Sequence, residues 1–252
     1  MNIKIDGKIC QAEHGEFILD IARRNNIPIP TLCHSDALPG QANCRLCVVA
    51  VLENGEEKIV ASCVYPVTKE IEVVTNSAKI VNIRKTIIML LAARIPNNEL
   101  LNKLKEEYSV PQPTRFKSDN NEQCLLCGLC VRACEKVGPA AISTVSRGIT
   151  KKVSTPYDEP SKMCIGCGAC AQVCPTGAIK IREAGQERTI WHKNFKLLSC
   201  EHCGKYFITP EELKYIKDKL GTATGELLCE NCRKVSISQK LKDIYENAAS
   251  GC

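Results

Sequence analysis

Polar and apolar positions alternate over residues 2–9, with Asp6-Gly7 in the middle, a pattern that predicts a β-hairpin at the start of the chain. Residues 16–25 follow a helical period that turns Phe17, Ile18 and Ile21 inward, and Pro28 and Pro30 then break the pattern. Strand-like alternation returns near residues 45–52 and 70–75. Ile80, Ile83, Ile87, Leu90 and Leu91 mark one face of a further helix, expected to pack the first segment against the next. Near the C-terminus, residues 209–212 form a capping box with Pro210 at the first helical position. Leu213, Ile216 and Leu220 supply a buried stripe there, and Gly221 ends the helix. These elements are short and dispersed, so an α+β chain of several small segments is expected. The longest uninterrupted apolar run, residues 87–93, is too short to span a bilayer.

Composition changes the picture. Only 4% of the 252 residues are aromatic, whereas 18 are cysteine, so groups bound to thiols are expected to replace part of the missing apolar core. The first residues lack the basic start and apolar run of a secretory signal, which favours a reducing, cytoplasmic setting and metal ligands over disulfides.

The cysteines form four sets. Cys124, Cys127, Cys130 and Cys134 repeat the C-x2-C-x2-C-x3-C spacing of Cys164, Cys167, Cys170 and Cys174 forty residues later, with Pro175 closing the second run. Such spacing puts three sulfurs on one tight loop, suited to three corners of a cubane. The fourth cysteine starts a helix that points away to the neighbouring cluster. One 4Fe-4S cluster is therefore assigned to Cys124, Cys127, Cys130 and Cys174, and a second to Cys164, Cys167, Cys170 and Cys134. Gly128, Gly166 and Gly168 let the backbone wrap closely. The doubled run resembles the two-cluster bacterial ferredoxin module over residues 115–183, except that Glu135 stands where proline usually follows the fourth cysteine.

Cys33, Cys44, Cys47 and Cys63 pair one close couple with two distant single cysteines, which suits a flat 2Fe-2S cluster better than a zinc site. Strand, turn, helix and ligand loop resemble the layout of the plant-type, β-grasp ferredoxins. The wider spacing, with "PTLCH", "NCRLCVV" and "ASCVYPV", resembles the N-terminal domain shared by three groups of proteins. These are the cluster-bearing peripheral subunit of complex I, the diaphorase subunit of NAD-linked nickel-iron hydrogenases and the iron-only hydrogenases. In that family the following helix leads to a His/Cys-ligated 4Fe-4S cluster. Residues 94–116 hold neither histidine nor cysteine, so that cluster is expected to be missing. Electrons would then pass directly from the β-grasp cluster to the cubane pair, provided the linker folds back.

Cys200 with Cys203 and Cys229 with Cys232 have the spacing of a zinc ribbon or treble clef, and a metal is expected to hold this core-poor segment together. Thiolates alone do not distinguish zinc from a further iron site. His202 is expected to face solvent. His34 is either a hydrogen-bond donor toward the first cluster or a surface side chain. Cys10 and Cys252 are left over and expected to be dispensable.

The formal charge of +6 suggests nucleic acid, but sixteen thiolates set against their metals bring the loaded chain to about −2. The basic residues are also dispersed. No dinucleotide fingerprint, phosphate loop or acid–base couple supplies a source or destination for electrons. The expected function is thus a non-catalytic relay in four segments: a 2Fe-2S β-grasp domain (1–78), a helical linker (79–114), a two-cluster 4Fe-4S domain (115–185) and a four-cysteine metal unit (186–252). By resemblance its partners are a flavin- and NAD(P)-binding subunit and a catalytic or ferredoxin-interacting subunit. The implied setting is a cytoplasmic complex of an anaerobe, such as a hydrogenase, a formate dehydrogenase or an electron-bifurcating enzyme. No membrane span and no nucleic acid are expected. The competing readings are a free polyferredoxin carrier and an iron-sulfur regulator that binds DNA, which would need a clustered basic face.

Overall fold

The computed structural model describes residues 1–53, 55–111, 120–221 and 225–249; the side chains of residues 220 and 247–249 lie outside that description, as does Cys252. The chain divides into two compact units. The first comprises Met1–Gly138, Ser143–Val153 and Cys170–Ile179, and the second Pro139–Ile142, Ser154–Ala169 and Lys180–Cys252.

The first unit opens with the expected hairpin, β1 (Asn2–Ile5) and β2 (Lys8–Gln11), turning at Asp6 and Gly7, both with positive φ. Helix α1 (Ile18–Arg24) follows, then β3 (Val48–Glu53), β4 (Glu56–Ala61) and β5 (Glu72–Val74). The sheet order is β2-β1-β5-β3-β4, with β1 and β5 parallel at its centre and the other pairs antiparallel. A helix crossing a mixed sheet with a parallel central pair is the β-grasp arrangement.

Helix α1 is shorter than its hydrophobic pattern. Phe17 serves as its N-cap, 36% exposed, and bridges to Pro66 instead of entering the core; Ile18, Leu19, Ile21 and Ala22 are the buried residues. Each large aliphatic side chain buried there contributes about 1.5–3 kcal/mol. Strand β3 also departs from strict alternation. Val48, Val49, Ala50 and Val51 are all buried, because Val49 and Val51 face the α1 core while Val48 and Ala50 meet Ile80 of α2 (Ala78–Arg94). A strand covered on both faces reads as a continuous apolar run.

The buried stripe of α2 is Ile80, Arg84, Ile88 and Ala92, whereas Leu90 is 49% exposed. Arg84 was invisible to a hydrophobic period. Its guanidinium is buried and donates to the carbonyls of Leu46 (3.2 Å) and Val48 (2.9 Å), which tie α2 to the chain entering β3. Helix α3 (Glu99–Glu107) follows, capped by Asn98. Helix α4 (Leu129–Val137), β6 (Ser143–Val145), β7 (Lys152–Ser154) and the single turn α5 (Ala169–Gln172) carry or flank the next cysteines. Cys134 sits inside α4 and does not start a helix, because α4 already begins at Leu129.

The second unit holds an antiparallel sheet of β8 (Arg182–Ala184), β9 (Glu187–Ile190) and β10 (Lys193–Lys196). Beyond it are a two-stranded pair, β11 (Leu198–Ser199) and β12 (Tyr206–Ile208), then α6 (Pro210–Leu220) and α7 (Glu230–Ala249). Thr209 caps α6 by accepting the N–H of Glu212 at 3.0 Å, and Gly221 (φ +63°) ends it as expected. Leu213 and Ile216 are half-buried, not fully enclosed. No helix among the described residues is long and apolar enough to cross a membrane.

Candidate metal centres

Cys33 lies in the loop after α1, Cys44 and Cys47 immediately before β3, and Cys63 in the 3-10 turn after β4; all four are buried. The loop packs tightly against that turn. A Cβ on Gly40 would lie 2.3 Å from the carbonyl oxygen of Cys63, so only glycine permits this approach. Ala42 and Arg45, on either side of Cys44, hold positive φ of 55° and 57°, a strained backbone of the kind concentrated at functional sites.

The thiols meet in two couples. The N–H of Cys44 reaches Cys33 Sγ at 3.4 Å, and Cys47 Sγ reaches Cys63 Sγ at 3.4 Å. In each couple the neighbouring thiol's hydrogen bond, the largest influence, favours ionisation of one member and opposes it in the other. Cys44 and Cys47 are thereby held at about 6, while Cys33 and Cys63 are pushed well above the usual thiol range. Four buried thiols within electrostatic reach of one another repel once ionised, and bound cationic metal removes that repulsion. His34 Nδ1 is buried beside the set without a hydrogen-bond partner, as expected around a group that would accept from it. The His34 side chain is 8% exposed and its Nε2 sits 3.2 Å from Asp36, which rules out the reading of a surface histidine.

Cys124 and Cys127 precede α4, Cys130 lies in its first turn and Cys174 follows α5. Burial dominates the first three, raising Cys127 to about 11 and Cys130 to about 12, and the charge of Cys174 raises both further. Cys174 is shifted down: burial opposes this, but Thr176 and the N–H groups of Ala178 and Ile179 outweigh it. The first unit thus gathers Cys124, Cys127, Cys130 and Cys174 within electrostatic reach of one another, with Cys170 also acting on Cys130. The donor chemistry and this gathering fit a 4Fe-4S group.

Side chains that no cysteine spacing reveals hold these two sets. Asn43, next to Cys44, donates to the carbonyl of Cys127 at 3.0 Å. Arg132 of α4 donates to the carbonyl of Cys33 at 2.7 Å and to that of Pro39, and its charge favours ionised Cys127. Leu32, Leu38 and Leu46 share one core with Leu125, Leu129 and Ala133. Arg94, ending α2, donates to the carbonyl of Cys124 at 2.7 Å. Asn98, while capping α3, donates to Gln123 (2.9 Å) and to the carbonyl of Thr176 (3.3 Å). The linker helices do fold back onto the cysteine loops, and polar side chains inside a helical pattern were the only hint.

The remaining ferredoxin-type cysteines are divided between the units: Cys134 and Cys170 belong to the first, Cys164 and Cys167 to the second. Within the second unit the loop carrying Cys164 and Cys167 is clamped from several sides. Arg188 donates to the carbonyls of Gly166 (2.7 Å) and Phe207 (3.1 Å) and to Glu183 (2.8 Å). Lys193 donates to the carbonyl of Cys164 at 2.7 Å, and Thr209 Oγ1 to that of Ile165 at 2.5 Å. Gly166 has φ +74°, and a Cβ there would press on Phe195 and Thr209 at 3.0 and 2.9 Å.

Cys200, Cys203, Cys229 and Cys232 place all four sulfurs within 4.8 Å of one another. A tetrahedral ion with Zn–S bonds of about 2.3 Å separates its sulfurs by about 3.8 Å, so the cage suits one ion. Burial opposes ionisation of Cys200, yet the N–H groups of Cys229, Cys203 and His202 hold it at about 6. Cys232 is pushed up to about 12, by burial first. His202 is exposed, and Cys10 is buried in the β-grasp core with its thiol toward the carbonyl of Lys8.

These folds and donor sets define an iron-sulfur protein. Residues 1–78 match the 2Fe-2S iron-sulfur cluster binding domain, and residues 119–181 and 163–205 each match a 4Fe-4S dicluster domain. The chain is 32% identical over 210 residues to the NADP-reducing hydrogenase subunit HndD of Solidesulfovibrio fructosivorans, covering 71% of this chain and 36% of that one. It is 28% identical over 231 residues to an NADH-quinone oxidoreductase subunit of Rhizobium meliloti, covering 81% and 27%. With the NADPH-Fe(3+) oxidoreductase subunit alpha of Geobacter sulfurreducens it shares 31% over 204 residues, covering 71% and 24%. The chain thus spans from about a quarter to a little over a third of the length of these relatives. A crystal structure of an NAD+-reducing [NiFe]-hydrogenase in the H2-reduced state superposes with a TM-score of 0.61 at 26% identity, over 73% of this chain and 88% of that one. The resemblance read from the cysteine motifs is therefore matched by domains and by relatives alike.

Proposed function

We propose that this chain relays single electrons inside a multi-subunit NAD(P)-linked flavoprotein oxidoreductase, without a catalytic site of its own. The observation that carries this reading is the shared core and paired hydrogen bonds joining the Cys33 set to the Cys124 set within one unit, which give an electron a short packed route between them. Bound clusters supply one-electron storage at each set. Cys33, Cys44, Cys47 and Cys63 hold the 2Fe-2S group; Cys124, Cys127, Cys130 and Cys174 hold one 4Fe-4S group, and Cys164, Cys167, Cys170 and Cys134 the other. The buried backbone donors and the cations of Arg94, Arg132, Arg188 and Lys193, each bonded to a carbonyl of a cysteine loop, orient the ligands and set how readily each site accepts charge.

Cys200, Cys203, Cys229 and Cys232 hold a structural zinc in this reading, in preference to a further iron site, since the thiols form a compact cage in a segment with little other core. The four-segment organisation, with boundaries at 78, 114 and 185, follows the same division of labour. The relatives' names, an NADP-reducing hydrogenase, an NADH-quinone oxidoreductase and an NADPH-Fe(3+) oxidoreductase, support an NAD(P)-linked complex; the flavin-binding partner and the cytoplasmic setting are part of the same proposal.

Anaerobic isolation from the native source tests the proposal. About ten irons and one zinc per chain are expected, together with co-purification of a flavin-containing NAD(P)-binding subunit. Clean isolation as a monomer would support the diffusible carrier instead. Colourless material without acid-labile sulfide would end the electron-transfer reading altogether.

A further inference from the structure

The side chain of Arg132 is placed where no cysteine motif requires a cation. It projects from α4 between Cys130 and Cys134, yet among the described residues its hydrogen bonds run to carbonyls of the other cysteine loop, those of Cys33 and Pro39, more than ninety residues earlier in the chain. The residue is 4% exposed, its Nε is buried without a partner, and no carboxylate among the described residues pairs with it. A buried guanidinium in this condition is costly unless negative charge lies close by. The buried structures that flank it on both sides are the two thiol sets: Cys33 and Cys44 in one loop, Cys127 and Cys130 in the other, the first three inside a common core. A cluster ligated by four thiolates carries net negative charge, and one more unit of it after reduction.

We propose that Arg132 is a positioning residue that joins the two iron-sulfur loops and a shared counter-cation that makes both sites easier to reduce. The proposal rests on the relay reading of these sets. Its two roles separate by substitution, since lysine at this position would keep the charge without the planar fork, while glutamine would keep a donor without the charge.

The test uses the full chain with its clusters, purified anaerobically, and follows each paramagnetic signal during reduction with dithionite. In Arg132→Gln, the signals of the Cys33 and Cys124 sets are expected to need a lower potential. At a fixed potential their reduced-to-oxidised ratio should fall about tenfold, the effect of about 1.4 kcal/mol, with a smaller change in the Cys164 set, whose proposed ligand Cys134 shares α4 with Arg132 while the other three do not. In Arg132→Lys, both midpoints should stay near those of the parent, while the magnetic interaction between the two signals weakens as the loops lose their fixed spacing. Unshifted midpoints in a fully loaded Arg132→Gln protein would overturn the counter-cation role. If that variant does not load, the lysine variant decides: weakened interaction supports the proposal and an unaltered one overturns it. Iron lost only from the two joined sets counts in favour, whereas equal loss from every set counts against, because Arg132 would then serve the fold at large. Failure of the relay reading looks different: the parent protein itself would show no such signals.

Discussion

Gly40 is the residue on which the first thiol set turns. It lacks a positive φ and carries no ligand, so nothing in the local pattern marks it, yet a side chain there would meet the carbonyl of Cys63 at 2.3 Å. Because the obstacle is backbone, the loop bearing Cys33 and Cys44 would have to lift away. Gly40→Ala is expected to cost about 1–3 kcal/mol, as overpacking does, and to lose the 2Fe-2S signal selectively. Iron analysis with thermal unfolding measures both, and a variant with full iron and unchanged stability would show that the loop has slack. The candidate thiol sets are legible at this scale because cysteine spacing is local and thiol chemistry is narrow. Phe17 was misread because hydrophobicity alone does not tell a helix cap from a core position; its backbone is extended and it pairs with Pro66.

At the scale of elements, Thr209 links α6 to the loop carrying Cys164 and Cys167 in the second unit. Its hydroxyl accepts the N–H of Glu212 to cap α6 and donates to the carbonyl of Ile165, while β12 just before it is bonded through Phe207 to Arg188. Thr209→Val keeps the shape and removes both bonds. Loss of the cap is expected to cost about 1 kcal/mol, and the cluster held by the Cys164 set should become the first to bleach on exposure to air. Bleaching in the same order as the parent would mean that the clamp of Arg188 and Lys193 suffices alone. The capping box itself was readable from residues 209–212, since it is a matter of neighbours along the chain. The double burial of β3 was not: whether Val48 and Ala50 face water or Ile80 depends on where α2 returns.

For the whole molecule, the compact units do not follow the order of the cysteine runs. Cys134 and Cys170 fall in the first unit and Cys164 and Cys167 in the second, while the ligand set proposed for the second 4Fe-4S cluster rests on cysteine spacing. Cys134→Ser is accordingly expected to damage the cluster of the Cys164 set and leave that of the Cys124 set intact, seen as loss of one 4Fe-4S signal with the other retained. Loss confined to the Cys124 cluster would refute the cross-ligation.

Reading the chain alone was enough to set a 2Fe-2S domain before a 4Fe-4S ferredoxin-type repeat and to propose how sixteen cysteines divide among metal sites, because each of these depends on local spacing. The residues that join one group to another, Asn43, Arg94, Asn98, Arg132 and Arg188, depended on the folded chain. Each of them has a bond that ends on a backbone carbonyl, which every residue possesses and no sequence distinguishes. The partner of Arg132 lies 99 positions away at Cys33, and only the packing of α4 against the Cys33 loop selects that carbonyl from all the others.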